Sequence, residues 1–180
     1  MRAFIAIDVD RKLWQKINNV IESIKECNGN IKFTKPENLH FTINFLGEIE
    51  SEKQGEIAQQ INECTKGINP FNVTIKGLGY FGGKRFIRVI WLSAVSNELI
   101  ALMKKINNAI KTGKRVDKPH ITLGRVKSGK NIGCIIDKIE KMKDVKIGEM
   151  HITNVKLKKS ILTKEGPIYE DIKVFKLKNE

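Results

Sequence analysis

Cysteine, histidine and long apolar runs are scarce in this chain of 180 residues, and each scarcity excludes a class of protein. Its three cysteines, Cys27, Cys64 and Cys134, lie far apart without a Cys-x-x-Cys pair. We therefore expect reduced thiols in a cytoplasm, with neither a disulfide framework nor a zinc site. No apolar stretch approaches the roughly 18 to 20 residues of a membrane span. The N-terminal segment turns acidic at Asp8, too early for a signal peptide, and predicts a buried strand.

Positive charge is what the chain has in excess. Its 33 Lys and Arg residues face 20 Asp and Glu residues, giving a formal net charge of +13. A field of this size favours polyanions, with solubility as the plainer alternative. The apolar fraction of 41% supports a globular core. Abundant Lys, Glu and Ile with little Gln is typical of heat-adapted proteins.

Two segments share one pattern: a proline, then a histidine and a threonine two residues apart, with apolar residues between and after. The first pairs His40 with Thr42, and the second, 80 residues later, pairs His120 with Thr122. Alternation with period two indicates strands, so each histidine lies beside its threonine on one face. Facing strands would present two imidazoles and two hydroxyls to a small anionic group. Two imidazoles suit acid–base chemistry at phosphorus, because one can take a proton while the other gives one.

The third histidine, His151, also precedes a threonine by two residues, so the short pattern alone is insufficient. It lacks an upstream proline and lies in a long alternating run over residues 150–159. We interpret this run as an ordinary amphipathic strand with a structural or solvent-facing histidine, and catalysis by His151 is the alternative. No group of His, Cys and carboxylate side chains has the spacing of metal ligands.

Periodicity predicts strands and helices interleaved along the whole chain, without a long linker. Strands are expected over residues 1–9, 31–34, 39–46, 71–78, 86–93, 120–126, 150–162 and 168–177. Helices are expected over residues 10–27, 51–66, 97–111 and 131–143. Asp10, Ser96 or Asn97, and a capping box of Ser51 and Gln54 are the predicted helix starts. The two motifs occupy comparable positions in two halves, which suggests an internal duplication with a cleft between antiparallel sheets.

The chain resembles the LigT-like two-histidine (2H) phosphoesterases, specifically the RNA 2′,3′-cyclic phosphodiesterases, historically called 2′-5′ RNA ligases. The likeness covers nearly the whole chain. Its segments are residues 2–7, 36–47, 77–81, 88–92, 118–126, 157–162 and 166–169. Ile43 and Asn44 stand where Leu and Lys are more usual, and neither is expected to touch the chemistry.

The resemblance implies an α+β fold, the bilobal duplicated 2H phosphoesterase fold, over a single domain of residues 1–180. Two antiparallel sheets would face a central basic cleft, with helices on their outer faces. One His-x-Thr-x motif, at residues 40–43 and at residues 120–123, would lie in each lobe.

The resemblance also implies the reaction, which opens a 2′,3′-cyclic phosphate at an RNA 3′ end and leaves a 2′-phosphate. It makes His40 the proton donor and His120 the proton acceptor, whereas the residues alone do not order the two roles. Thr42 and Thr122 would donate hydrogen bonds to the nonbridging oxygens, where negative charge builds in the transition state. No metal and no cofactor are expected. By microscopic reversibility the same site could join the cyclic end to a 5′-hydroxyl through a 2′-5′ linkage.

Arg125 follows His120 at an odd offset, so an unbroken strand would direct it to the opposite face. It must reach the phosphate from the strand end or through a bend at Gly124. The resemblance assigns it to the phosphate, which suits its planar fork of donors. A surface ion pair is the alternative for this side chain.

Several other residues carry weaker signals. Phe81, in the glycine-rich stretch, could line the cleft or pack within a loop. Trp91 fits an apolar pattern and is expected in the core rather than as a base-stacking platform. Lys158 and Lys159 either border an RNA path or belong to a solvated strand face.

The expected partner is RNA with a 2′,3′-cyclic phosphate terminus, tRNA fragments being one candidate source. We expect a cytoplasmic protein without a membrane partner, and a monomer because no extra apolar helix face stands out. Two alternatives remain open: a phosphodiesterase for small cyclic nucleotides or 2′-5′ oligoadenylates, and a non-catalytic RNA-binding module of the same fold.

Overall fold

A computed structural model describes residues 1–178 of the chain and shows an α+β architecture. The strands are β1 (Arg2–Asp8), β2 (Ile31–Phe33), β3 (His40–Glu48), β4 (Phe71–Gly83), β5 (Phe86–Val95), β6 (Lys114–Arg115), β7 (His120–Val126), β8 (Lys146–Ile152), β9 (Asn154–Thr163) and β10 (Gly166–Lys176). The helices are α1 (Trp14–Lys25), α2 (Ser51–Thr65), α3 (Asn97–Ala109) and α4 (Ile132–Lys141). Short 3-10 turns at Arg11–Leu13 and Pro36–Asn38 precede α1 and β3.

The strands form two antiparallel four-stranded halves joined at their centre. Their order is β10-β9-β1-β3 in one half and β7-β5-β4-β8 in the other. The halves meet only where Phe41 of β3 pairs with Ile121 of β7, within the described residues. Short β2 and β6 add to β7 and β3 beside this joint. The expected α+β fold of antiparallel sheets and helices is therefore confirmed, and the two halves are continuous through one bridge.

Each half is covered by helices from both parts of the sequence. Helices α2 and α3 pack against each other, with α2 on β10 and α3 on β3, whereas α1 packs on α4, and α4 on β4. Alternation along the strands buries one face of the sheet under these helices. The largest fully buried side chains there include Ile5, Phe41, Ile61, Ile90 and Leu99. The opposite face of the central strands is left open for a site.

Local signals in the sequence were partly right about where elements begin and end. Asp10 caps the first turn, since its side chain accepts a hydrogen bond from the Lys12 amide at 3.0 Å. Ser96 likewise caps α3 through the Leu99 amide at 3.1 Å. The Ser51 capping box is wrong, because α2 begins after Glu50 without a side-chain cap.

The expected strand over residues 150–162 is also wrong. The chain leaves β8 at Ile152 and begins β9 at Asn154, so one alternating run serves opposite ends of the sheet. A short strand between α3 and β7, β6, was not expected from the sequence. Its two residues pair with Asn44 and Phe45 of β3.

The expectation of reduced thiols is wrong for two of the three cysteines. Cys27 and Cys134 form a disulfide, with Cα atoms 5.7 Å apart, and Cys64 is free and buried. The packing of α4 against α1 brings the two residues together, although they are 107 residues apart in sequence. Their spacing in the sequence does not indicate that contact, so the disulfide could not be predicted from spacing.

Candidate active site

The two motif strands, β3 and β7, pair side by side as antiparallel neighbours in the sheet. Phe41 and Ile121, the paired residues, are fully buried on the helix side. Because neighbouring strand residues point to opposite faces, the histidine and threonine of each motif face the open side. Continuing the antiparallel register places Thr122 across from His40 and Thr42 across from His120. The structure thus brings both motifs into one arrangement with near twofold symmetry.

Both imidazoles are held in the same tautomer by backbone carbonyls two residues upstream. His40 Nδ1–H donates to the carbonyl oxygen of Asn38 at 2.6 Å, and His120 Nδ1–H donates to that of Lys118 at 2.9 Å. A carbonyl oxygen can only accept, so the proton of each neutral ring is on Nδ1 and Nε2 is left for chemistry. The Thr42 hydroxyl lies 2.9 Å from His40 Nε2. Two reactive Nε2 atoms with matched support are what a donor–acceptor pair requires.

Burial lowers the pKa of both histidines, and their neighbours then act in different ways. For His40, burial is the largest cause; the Asn38 carbonyl and Asp8 oppose it, while Lys158 and His120 add to it. For His120, burial again comes first, the Lys118 carbonyl opposes it, and Arg125 adds to it. A carboxylate therefore stands near one ring and a guanidinium near the other, which gives the pair an electrostatic asymmetry.

Arg125 reaches the open face through a bulge in β7. Strand β5 pairs Trp91 with Thr122 and Ile90 with Gly124, so Leu123 has no partner on β5. The extra residue reverses the alternation of side chains, so Arg125 lies on the same side of the sheet as Thr122. Both side chains line one pocket on the open face. Gly124 permits this close crossing, because a Cβ there would lie 2.8 Å from Ile31 Cγ2. Of the two expected routes for Arg125, the strand end or a bend at Gly124, the break in register lies at Leu123, next to Gly124.

A cluster of four charges, Asp8, Lys156, Lys158 and Asp171, flanks His40 on the open face. Asp8 is the cross-strand neighbour of His40. The ammonium of Lys158 is 2.8 Å from each carboxylate, and that of Lys156 is 2.7 Å from Asp8 and 2.6 Å from Asp171. Lys158 is only 5% exposed, so it does not belong to a solvated strand face. Burial raises the pKa of Asp171, but hydrogen bonds from both lysines outweigh it and leave that pKa lowered.

A pocket of about 140 Å³ opens beside His40. Phe33, Phe45 and Tyr169 give it aromatic walls, and Lys32 and Lys35 add positive charge at its rim. The Tyr169 ring lies edge-on to the His40 ring, with centroids 5.5 Å apart. Tyr169, on the β9–β10 hairpin, thus bounds the open face on the side of His40. Sequence reasoning missed Asp8 and Tyr169 as neighbours of the site and left Lys158 between an RNA path and a solvated strand face, since only the sheet order brings these residues to His40.

His151 lies outside this arrangement. It is exposed on β8, at the far edge of the sheet, where its Nδ1 is 2.8 Å from the Asn72 side-chain oxygen. Among residues 1–178, no group of three or more His, Cys, Asp or Glu side chains is arranged to hold a metal ion. In the same range, no helix has the length and apolar character needed to cross a membrane.

The family model described as LigT like Phosphoesterase matches residues 7–91 and 92–169 of the chain. The chain belongs to this family. The boundary between the matched segments separates the two motifs, in agreement with an internal duplication.

Two curated relatives are both named RNA 2′,3′-cyclic phosphodiesterase. The protein from Methanocaldococcus jannaschii is 40% identical, with 96% of this chain and 99% of the relative covered. The protein from Methanothermobacter thermautotrophicus is 35% identical, with 98% and 99% covered.

Solved structures show the same fold at lower identity. A protein from Thermus thermophilus superposes with a TM-score of 0.83 at 23% identity, covering 100% of both chains. Escherichia coli LigT complexed with 3′-AMP superposes with a TM-score of 0.74 at 24% identity, covering 98% of this chain and 97% of LigT. The fold expected from the sequence is therefore shared with these solved structures.

Proposed function

We propose that this protein is an RNA 2′,3′-cyclic phosphodiesterase, a hydrolase that opens a terminal 2′,3′-cyclic phosphate to a 2′-phosphate. The observation that carries the proposal is the pair of imidazoles on one face, each oriented by a backbone carbonyl and each across from a threonine hydroxyl. Such a pair supplies a base and an acid at one phosphorus. The names of relatives up to 40% identical along the full chain point to the same reaction.

In this mechanism His120 Nε2 accepts a proton from water as the water oxygen attacks phosphorus. The bond between phosphorus and the 3′ oxygen breaks, and protonated His40 gives its Nε2 proton to that oxygen. Thr42 and Thr122 donate hydrogen bonds to the nonbridging oxygens, and Arg125 binds them through its forked donors. The two imidazoles account for both proton transfers, and the threonines and Arg125 stabilise the developing charge, so no step of this mechanism requires a metal ion.

The neighbours of the two rings support this order of roles. Asp8, beside His40, favours the imidazolium that an acid must start from. Arg125, near His120, disfavours a second positive charge and keeps that ring neutral as a base must be. The assignment therefore rests on Asp8 raising the pKa of His40, against burial and Lys158, and on Arg125 lowering that of His120.

Residues 1–180 would act as one bilobal domain and as a monomer, with a motif strand from each lobe. RNA termini such as those of tRNA fragments are the proposed substrates, in keeping with the net charge of +13. We place the protein in the cytoplasm. The Cys27–Cys134 disulfide fits that compartment in a heat-adapted cell, where internal disulfides persist.

The test is hydrolysis of a short RNA ending in a 2′,3′-cyclic phosphate, in the presence of EDTA. His40→Ala and His120→Ala should each lower kcat by at least about 10²-fold, the scale of one general acid or base. His151→Ala is the matched control and should retain wild-type turnover, because that side chain lies on a remote strand edge. The product should carry a 2′-phosphate.

Two results would overturn the proposal. One is loss of activity in EDTA with restoration by a divalent ion, which would require a different mechanism. The other is tight RNA binding without turnover by the wild type, unchanged in both histidine variants, which would favour the binding-module alternative. Hydrolysis confined to mononucleotide cyclic phosphates would instead support a small-nucleotide phosphodiesterase.

A further inference from the structure

The β4–β5 hairpin extends from the catalytic face to an exposed turn. Near its inner part, the Phe81 ring lies edge-on to His120 with centroids 5.0 Å apart, and 5.3 Å from the Trp91 ring. Trp91 pairs with Thr122 across the strands and covers Gly79, where a Cβ would collide with its indole. These rings form an apolar surface that starts at the proposed base.

A bulge in β5 rearranges the outer part of the hairpin. Phe81 pairs with Val89, but the next residue, Gly82, pairs with Ile87, so Arg88 has no partner on β4. Ile87 is buried, whereas Phe86 is 62% exposed. The Arg88 guanidinium carbon lies 5.5 Å from the centroid of the Phe86 ring. The hairpin tip therefore displays one aromatic ring that has a cation over it and is largely exposed to solvent.

Charge on this hairpin is of one sign only. No Asp or Glu occurs between Glu63 and Glu98 in the sequence. Lys84, Arg85 and Arg88 are exposed, and within residues 1–178 none of the three forms an ion pair. The β9–β10 hairpin on the other side of the site differs, because its turn and outer strand carry Glu165, Glu170 and Asp171.

We propose that the tip of the β4–β5 hairpin binds the single-stranded RNA segment upstream of the terminal nucleotide, with one base stacking on Phe86 and a phosphate on Arg88. This rests on the proposed function. A cyclic phosphate ends the RNA at its 3′ side, so all remaining nucleotides lie on the 5′ side of the bound ribose. The hairpin is continuous with the site through Phe81, and an aromatic ring beside unpaired cations is how proteins hold single strands without reading sequence.

The experiment compares two substrates of one protein. Wild type, Phe86→Ala and Arg88→Ala are assayed with 2′,3′-cyclic AMP and with an oligoribonucleotide of about five residues ending in a 2′,3′-cyclic phosphate. We expect KM for the oligonucleotide to rise roughly tenfold in each variant, the scale of one stacked base. Neither variant should change kcat/KM for 2′,3′-cyclic AMP by more than about twofold. Phe86→Trp should restore the oligonucleotide KM, because the larger ring still stacks.

Lys76→Ala is the charge control. It removes one positive charge from β4 within the same acid-free segment, at the end of the hairpin remote from the turn. Arg88→Ala should reduce the slope of log KM against log salt by about 0.7, the value for one single-strand phosphate contact. Lys76→Ala should leave this slope unchanged.

The possible failures are distinguishable. If wild type opens both substrates and Phe86→Ala or Arg88→Ala affects them equally, the hairpin is not an RNA-binding surface although the proposed function stands. Equal losses in Lys76→Ala and Arg88→Ala would reduce the effect to net charge and would also overturn the inference. If wild type opens neither substrate, the proposed function itself fails.

Discussion

Two residues per motif define the chemistry, and their protonation should be visible in the pH dependence. Productive enzyme needs His40 protonated and His120 neutral. Because burial lowers the pKa of both rings, kcat/KM for an RNA with a cyclic phosphate end should peak below the ordinary imidazole value of 6.5. The alkaline limb reports His40 and the acid limb reports His120. A maximum above pH 6.5 would contradict the lowered pKa of the two rings.

Asp8 should set the alkaline limb of that profile. Its carboxylate raises the proton affinity of His40, and it also offsets the charges of Lys156 and Lys158. Asp8→Asn removes both effects, so the limb should move to lower pH. Asp144→Asn, on the exposed connection before β8, is the matched control and should leave the limb in place. A shift to higher pH in Asp8→Asn would show that another group dominates.

Arg125 should not be replaceable by lysine. A guanidinium binds two phosphate oxygens at once, whereas an ammonium is a single point of charge. Arg125→Lys should therefore lower kcat/KM by about 10- to 100-fold, while Lys127→Ala, two residues further along, should have little effect. Turnover in both variants is measured on the same RNA substrate. Full activity of Arg125→Lys would return Arg125 to the role of a surface charge.

At the scale of elements, the break in β7 was partly predictable from the positions of two residues in the sequence. The odd offset between His120 and Arg125 required either a bend, for which Gly124 was the candidate, or an approach from the strand end. The charge cluster was not anticipated, because alternating Lys156 and Lys158 look solvent-facing until β9 is known to pair with β1. Periodicity assigns residues to a face but not to the strand beside them.

Gly124 should be sensitive to a single added methyl group. An alanine Cβ would lie 2.8 Å from Ile31 Cγ2 and 3.1 Å from Phe33 Cδ1. Gly124→Ala should reduce the free energy of unfolding in urea by about 1–3 kcal/mol through overpacking. It should also lower kcat/KM, since Phe33 and Arg125 line the same pocket.

Gly129→Ala provides the control for that effect. No atom lies within 4 Å of the Cβ it would add, and its backbone is not in the left-handed region. Its unfolding free energy should change by no more than about 0.5 kcal/mol. Equal behaviour of the two variants would show that β2 moves freely and does not brace the pocket.

At the scale of the whole molecule, distant parts of the sequence are interleaved around the site. The half containing β7 is covered by α1 from the start of the chain and by α4, and the half containing β3 is completed by β9 and β10 from its end. The spacing of the motifs predicted two comparable halves with a cleft between antiparallel sheets, and the family resemblance predicted the duplicated fold, but neither predicted which distant segments complete each half. The α1–α4 contact is also where the cysteine prediction failed.

The Cys27–Cys134 disulfide should therefore act on stability rather than on catalysis. It closes a loop with a sequence separation of 107 residues, and loops of about 100 residues are associated with roughly 4.7 kcal/mol of loop entropy. The double variant Cys27→Ser, Cys134→Ser should lose about 2–5 kcal/mol of unfolding free energy. Its kcat at room temperature should match wild type, because both cysteines lie in the α1–α4 contact rather than on the open face of the sheet.

Reductant separates the bond from the side chains that form it. Dithiothreitol should lower the Tm of wild type toward that of the double variant, whose own Tm should not respond. Loss of kcat in fully folded, reduced wild type would mean that the α1–α4 contact positions β2 and the pocket as well. An unchanged Tm of wild type in which thiol titration shows the bond fully reduced would mean that the disulfide adds no stability and that helix packing supplies it.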